Sequence, residues 1–331
     1  MSWPPATPAA RCRSGRASWP PENASGWSTP SSSSPKATGG QDGADFPESG
    51  EVPVKPVFIR SLENRGEFAA CVRIQEEVWG RNFSERVPIA ILQVTDRLGG
   101  VVMGAFDSDD RMVGFVFGLT GMEEGRPVHW SDMLAVLPEY RGRGIGRRLK
   151  LAQRERLIEL GVERVYWTFD PLEARNAHLN LVRLGGWSAE YVEAMYGTSD
   201  SPLHSDIGTD RLVITWEVQS PEVKALLEPA AGEVPLPFPE LEEAPMAVEG
   251  GFSSGVLEPT APRLNLRSSL ILLAVPGSIQ ELKKDHPRAA TRWREATREA
   301  FQVYLAGGWV VRGGIFSPDG NLFRYILVRD E

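Results

Sequence analysis

The chain has 331 residues, of which 41% are hydrophobic and 24% charged. That length is about two average domains, which excludes a mini-protein, and no apolar run reaches the roughly 18 residues of a spanning helix. The net charge of −8 is unevenly placed: residues 1–55 carry five basic and five acidic side chains, whereas residues 228–262 carry seven glutamates and no Lys or Arg. The acidity therefore belongs to one segment and implies no cationic partner for the rest. Two cysteines, Cys12 and Cys71, make no framework, and the four histidines lack ligand spacing. A reducing, cytoplasmic setting without a metal is expected, with no secretory leader, since an apolar core before a cleavage site is missing.

Residues 1–56 are rich in Pro, Ser, Gly, Ala and Thr, a composition expected to stay disordered. From Phe58 the texture changes. Ser61 is placed to cap a helix whose apolar positions Phe68, Cys71, Val72, Val78 and Trp79 follow helical spacing, with a second helix after Pro88. Gly99–Phe106 and Met112–Thr120 read as a hairpin around Asp107-Ser108-Asp109-Asp110, and His129–Leu137 as a third strand. A helix then opens inside Arg141-Gly142-Arg143-Gly144-Ile145-Gly146 and runs to about Leu160. Val162–Phe169 is a strand, Asp170-Pro171 starts a helix to about Leu184, and strands follow at Glu190–Tyr196 and Arg211–Val218. Residues 57–219 thus form one α/β (α+β) domain. Residues 220–262, acidic and Pro-rich, read as an extended linker, and residues 263–331 as a small β-α-β-β extension docked on the first domain.

The chemistry concentrates where a strand runs through a glycine-rich turn straight into a helix. Such a turn aims unpaired backbone N–H groups and the positive end of the helix dipole at one point, which suits a phosphate. Glycines at 142, 144 and 146 let the main chain approach an anion closely. The dinucleotide pattern fails, because Arg147 or Leu149 stands where its last glycine belongs, and the Gly-Lys-Ser/Thr of a P-loop is absent.

The pattern Arg/Gln-x-x-Gly-x-Gly/Ala is present as Arg141 to Gly146. With the element order over 58–218, it resembles the GNAT superfamily of acyl-CoA N-acyltransferases. The segments Met133–Gly142, Trp167–Leu172 with Asn176, and Thr209-Asp210-Arg211 resemble a subgroup associated with N-acylamino acid racemase pathways. The resemblance implies a mixed, mostly antiparallel sheet splayed between strands 4 and 5 with helices on both faces. It also implies acetyl- or succinyl-CoA as co-substrate and N-acylation of a small-molecule amine, in that subgroup an amino acid. On the same footing, the amides of Arg141, Gly142, Arg143, Gly144, Ile145, Gly146 and Arg147 would hold the diphosphate. Leu134, Ala135 and Val136 would pair with the pantetheine arm, and Asn176 would face it.

Asp132 falls where family members place an acid or histidine beside the amine. An ordinary carboxylate is a weak base for an α-ammonium, about four pKa units apart, so it acts as a relay, holds the ammonium or is structural. The family tyrosine that protonates the departing thiolate is replaced by Asn180, Leu181 and Val182, leaving Tyr191, Tyr196 or water for that role. Arg211 is a candidate for a substrate carboxylate, with a local contact to Asp210 as the alternative. Asp170, before Pro171 and three residues ahead of Glu173, reads as a helix cap more than a catalytic acid. The basic run from Arg141 to Arg156 has no aromatic ladder and sits in a near-neutral domain, so neither nucleic acid nor membrane is expected, while a homodimer stays open. A module that binds acyl-CoA without turnover and a protein-lysine acyltransferase are the rival functions.

Overall fold

The computed structural model describes residues 56–81, 83–197, 207–227, 241 and 243–329. The expected tail and the Pro-rich stretch at 228–240 lie outside the described residues. The described residues open with a strand, β1 (Val57–Ser61), where the helix was expected to begin. Helix α1 (Arg65–Trp79) starts later, capped by Asn64, whose side chain accepts from the Glu67 amide at 3.2 Å. The alternation of Val57, Phe58 and Ile59 pairs with β2, and an Asx cap with Glu67 three residues on is a stronger start than Ser61.

Next come α2 (Ile89–Arg97), β2 (Val101–Asp107), β3 (Met112–Glu123) and β4 (Arg126–Val136). Helix α3 (Ile145–Glu159) is followed by β5 (Arg164–Phe169), then α4 (Ala174–Ala177), which passes into a π-helical stretch at His178–Arg183. That helix starts four residues after Asp170, whose side chain instead accepts from the Leu172 amide at 2.8 Å and binds an arginine described below. The strands β6 (Trp187–Val192) and β7 (Arg211–Glu217) precede α5 (Pro221–Leu227). The 220–262 stretch is not extended throughout: it holds β8 (Met246–Val248) and a hairpin of β9 (Gly250–Ser253) and β10 (Val256–Pro259). The last described elements are β11 (Leu270–Pro276), α6 (Ile279–Asp285), α7 (Pro287–Ala306), β12 (Trp309–Phe316) and β13 (Leu322–Arg329).

Eleven strands make one sheet in the order β1-β2-β3-β4-β5-β7-β6-β12-β13-β11-β8. Only the β4–β5 and β8–β11 pairs are parallel, so the sheet is mixed and mostly antiparallel. The last strands continue this sheet through the β6–β12 contact at Ser188 and Val311. One large core joins β5, β7 and the π-helical stretch to α7, β11, β12 and β13, with Trp167, Trp216, Trp293, Phe301 and Tyr325 buried in it. Each such side chain contributes roughly 1.5–3 kcal/mol by leaving water. A second core around Cys71, Leu92, Phe115, Leu137 and Leu149 fixes α1, α2 and α3 on β2–β4.

The β4–β5 pairing is short. Its register covers only Val128–Trp130 against Arg164–Tyr166, after which the strands part. At the same level β4 bulges on its other edge: Trp130 faces Leu119 and Met133 faces Phe117, so β4 spends one residue more than β3 around Ser131 and Asp132. A bulge of this kind bends a strand and re-aims its side chains. Gly118 sits opposite, where a Cβ would lie 2.2 Å from the His129 ring.

Candidate active site

The V between β4 and β5 opens into a cleft of about 800 Å³. One mouth is the glycine turn. Gly142 (φ 77°) and Gly144 (φ 73°) are left-handed, and Gly144 is the N-cap of α3, with open space where a side chain would stand. Left-handed backbone costs other L-residues roughly 1–2 kcal/mol, which explains glycine at both positions. The first-turn amides therefore face the cleft without a capping side chain, the arrangement that binds an anion.

Of the residues expected to hold the cofactor, Leu134, Ala135, Val136, Arg141, Gly142, Gly144, Ile145, Gly146, Arg147 and Asn176 all line this cleft. Arg143 does not; its guanidinium donates to the Glu139 carbonyl at 2.8 Å and lies over the Tyr140 ring. The Arg141 Nε is turned back onto the Val136 carbonyl at 3.1 Å.

Asp132 and Arg211 line the cleft as well. Asp132 is open to solvent at the bulge but has protein around most of it. Loss of surrounding water raises its pKa, partly offset by a hydrogen bond from Trp130. A raised carboxyl is closer to the range a proton acceptor needs.

Tyr191 is corrected: its side chain points away from the cleft, into the core. Its hydroxyl donates to Asp210 Oδ2 at 2.5 Å and its ring stacks on Phe301, so it packs and does not reach a substrate. Burial, helped by the Asp210 charge, lifts its phenol far above the usual value. Tyr196 does line the cleft, with its hydroxyl 3.1 Å from Thr168 Oγ1. Asn180, on the π-helical stretch, occupies the wall where the family tyrosine was sought.

A sealed ionic cluster backs the far end. Arg294 of α7, 2% exposed, donates through Nη2 to both carboxylate oxygens of Asp170 at 2.7 and 2.6 Å, and through Nε to the Ile207 carbonyl. Asp210 accepts from Arg298 at 2.8 and 3.1 Å, besides Tyr191 and the Ala194 amide. Arg211 lies 3.9 Å from Asp170, so one carboxylate serves two guanidiniums. Arg211 also sits over the Tyr196 ring, 5.2 Å from its centre. The loop and first turn after β11, Gly277 to Glu281, closes this end, with Gln280 donating to Glu173 at 2.5 Å.

Under the V runs a buried polar chain that sequence reading missed. Lys150 Nζ donates to Ser131 Oγ (2.7 Å), Ser131 to Gln153 Oε1 (2.9 Å), and Gln153 meets the His129 ring at 3.1 Å. Lys150 belongs to the basic run of the sequence, yet it is buried. The signal was present in the spacing: Gly146, Lys150, Gln153 and Leu157 recur every three or four residues, which sets the lysine on an inward face.

Burial, then the nearby Lys150 charge, hold the His129 pKa down to about 3. An unfolded histidine binds its proton near pH 6.5, so the unfolded state gains protons first on acidification. Stability is therefore fully present above that pH and falls as pH drops toward 3, by up to about 1.4 kcal/mol per pH unit. His129→Gln is expected to flatten the fall, measured as urea midpoints between pH 4.5 and 7.

A splayed mixed sheet with an anion-binding helix start at its mouth defines the fold of the acyl-CoA N-acetyltransferases. Residues 58–185 match the family model of the acetyltransferase (GNAT) family, and this stretch is a GNAT acetyltransferase domain, an N-acetyltransferase by class. The chain is similar in structure to the ribosomal-protein-S18-alanine N-acetyltransferase from Escherichia coli, at 17% identity over 54% of this chain and 98% of that one (TM-score 0.40). It is similar to Ard1 from Thermoplasma volcanium, at 16% identity over 48% and 95% (TM-score 0.37). It is also similar to Arabidopsis thaliana Naa50 in complex with a bisubstrate analogue, at 16% identity over 48% and 97% (TM-score 0.38). No curated protein matches the sequence. No helix among the described residues is long and apolar enough to cross a membrane, and no cluster among them has metal-ligand character.

Proposed function

We propose that the cleft binds acetyl- or succinyl-CoA along residues 134–147 with Asn176, and passes the acyl group directly to the amine of a small carboxylate-bearing acceptor, an amino acid. In this reading residues 57–219 hold the coenzyme and residues 263–331 complete the acceptor end. The observation that carries it is that the amide cradle at Gly142–Arg147, Asp132 and Arg211 open onto one cleft. The wall at Gly277–Glu281 narrows the Arg211 end. Arg211 is the arginine of the cluster that lines the cleft, and its guanidinium is the group there suited to an anionic part of the acceptor. Asp132 takes or relays the amine proton, and binding both partners side by side supplies much of the rate. Direct attack fits the one cysteine among the described residues, since Cys71 is buried in α1 and its thiol is pushed up to about 12.

The test is release of coenzyme A thiol from acetyl- and succinyl-CoA with a panel of D- and L-amino acids, simple amines and lysine peptides. Carboxylate-bearing amines are expected to be turned over best. Peptides outperforming every free amino acid, or binding without release, overturns the reading. Asp132→Asn is expected to lower kcat about 10²-fold with little change in acyl-CoA affinity, followed by the same thiol assay.

A further inference from the structure

Lys150 is the one lysine on α3 among several arginines, and it is turned inward. It is 2% exposed, and burial lowers its ammonium to about 7. Beyond Ser131 Oγ, its Nζ lies 3.8 Å from the centre of the Trp167 ring. Neither neighbour is an acid, and no carboxylate pairs with it among the described residues. An ammonium taken out of water without a counter-charge is costly, and such a charge on the wall of a cleft points to chemistry. The other ionisable groups around it are His129 and Asp132 on β4, with Arg147 and Arg154 one turn away on α3; β5 contributes the uncharged Trp167. Lys150 stands five residues past Ile145, about 7.5 Å along the helix from the anion-binding amides, at the vertex where β4 and β5 part. Ser131, Gln153 and His129 fix it there through the chain of hydrogen bonds described above.

We infer that Lys150 donates the proton to the sulfur that leaves when the acyl group is transferred, an assignment that rests on the acyl-transfer reading above. The acceptor nitrogen forms the new C–N bond and the C–S bond breaks with its electron pair on sulfur. One ammonium proton passes to that sulfur to give the free thiol, and the neutral lysine regains a proton from water. The transfer runs downhill, from an ammonium near 7 to a thiol whose ordinary pKa is about 8.5. It fills the role left open by Asn180 and by the inward turn of Tyr191, for which Tyr196, its hydroxyl 3.1 Å from Thr168 Oγ1, is the other side chain on the cleft.

The experiment compares K150M and K150C with wild type in the thiol-release assay. Both are expected to lose about 10²-fold in kcat with the KM for acyl-CoA within about threefold. Treating K150C with 2-bromoethylamine rebuilds an amine of lysine length, and is expected to restore kcat at least tenfold. Here K150C and its parent both carry Cys12→Ser; Cys71, buried with its thiol held up to about 12, resists the reagent, and the treated parent with Lys150 intact is the control. Full kcat in K150M overturns the assignment, as does failure to recover in K150C shown by mass to be fully modified. A loss confined to donors with a second carboxylate also overturns it, making Lys150 a recognition charge. Wild type releasing no thiol with any amine removes the acyl-transfer reading itself, a different failure.

Discussion

Asp170→Ala is expected to lower the unfolding free energy by about 3–5 kcal/mol, because it leaves Arg294 buried without its carboxylate. The Asp170 side chain is almost wholly enclosed, accepts two hydrogen bonds from Arg294, and lies 3.9 Å from Arg211. Removing it strands the Arg294 guanidinium, whose Nη1 already has no hydrogen-bond partner among the described residues. For a domain of this size the loss is a fall in Tm of about 10 °C, read by calorimetry. The double variant Asp170→Ala/Arg294→Met is expected to recover at least half, since an apolar replacement removes a stranded charge. A single-variant shift below about 2 °C would show that the cluster does not hold the two ends of the chain together.

Gly144→Val is expected to weaken acyl-CoA binding by about 30-fold or more while Tm falls only a few degrees. The site is left-handed at φ 73°, so a branched residue must move the backbone that presents the α3 amides. Gly161 supplies the control, with the same φ of 73° and the same open surroundings at the other end of α3. Gly161→Val carries equal strain far from the amide cradle and should leave affinity unchanged. Titration calorimetry with coenzyme A measures both; equal losses in the two variants would detach the glycine turn from binding.

What the sequence disclosed was local. A glycine turn before an apolar stripe, and strands bounded by turn residues, act over a few positions, so α3, the β2–β3 hairpin and the amide cradle were legible. The partners of Asp170 were not, because Arg294 stands 124 residues away and nothing near Asp170 announces it. The Asp-Pro-Leu-Glu run obeys the rules of a helix cap, yet tertiary pairing claimed Asp170 for Arg294 and Glu173 for Gln280, and α4 starts later. Tyr191 and Tyr196 could not be told apart, since only the path after β6 decides which ring turns inward. The strands at 246–259 escaped notice because proline and glutamate there outweighed a short apolar run at Met246-Ala247-Val248.

The pairing of Asp170 and Asp210 with Arg294 and Arg298 also sets an order of events during synthesis. A nascent chain that has emerged only as far as β7 carries both acids while the helix that covers and neutralises them is still unmade. The carboxylates must stay wet until α7 has been made, so the far end of the cleft shuts only after that helix has docked.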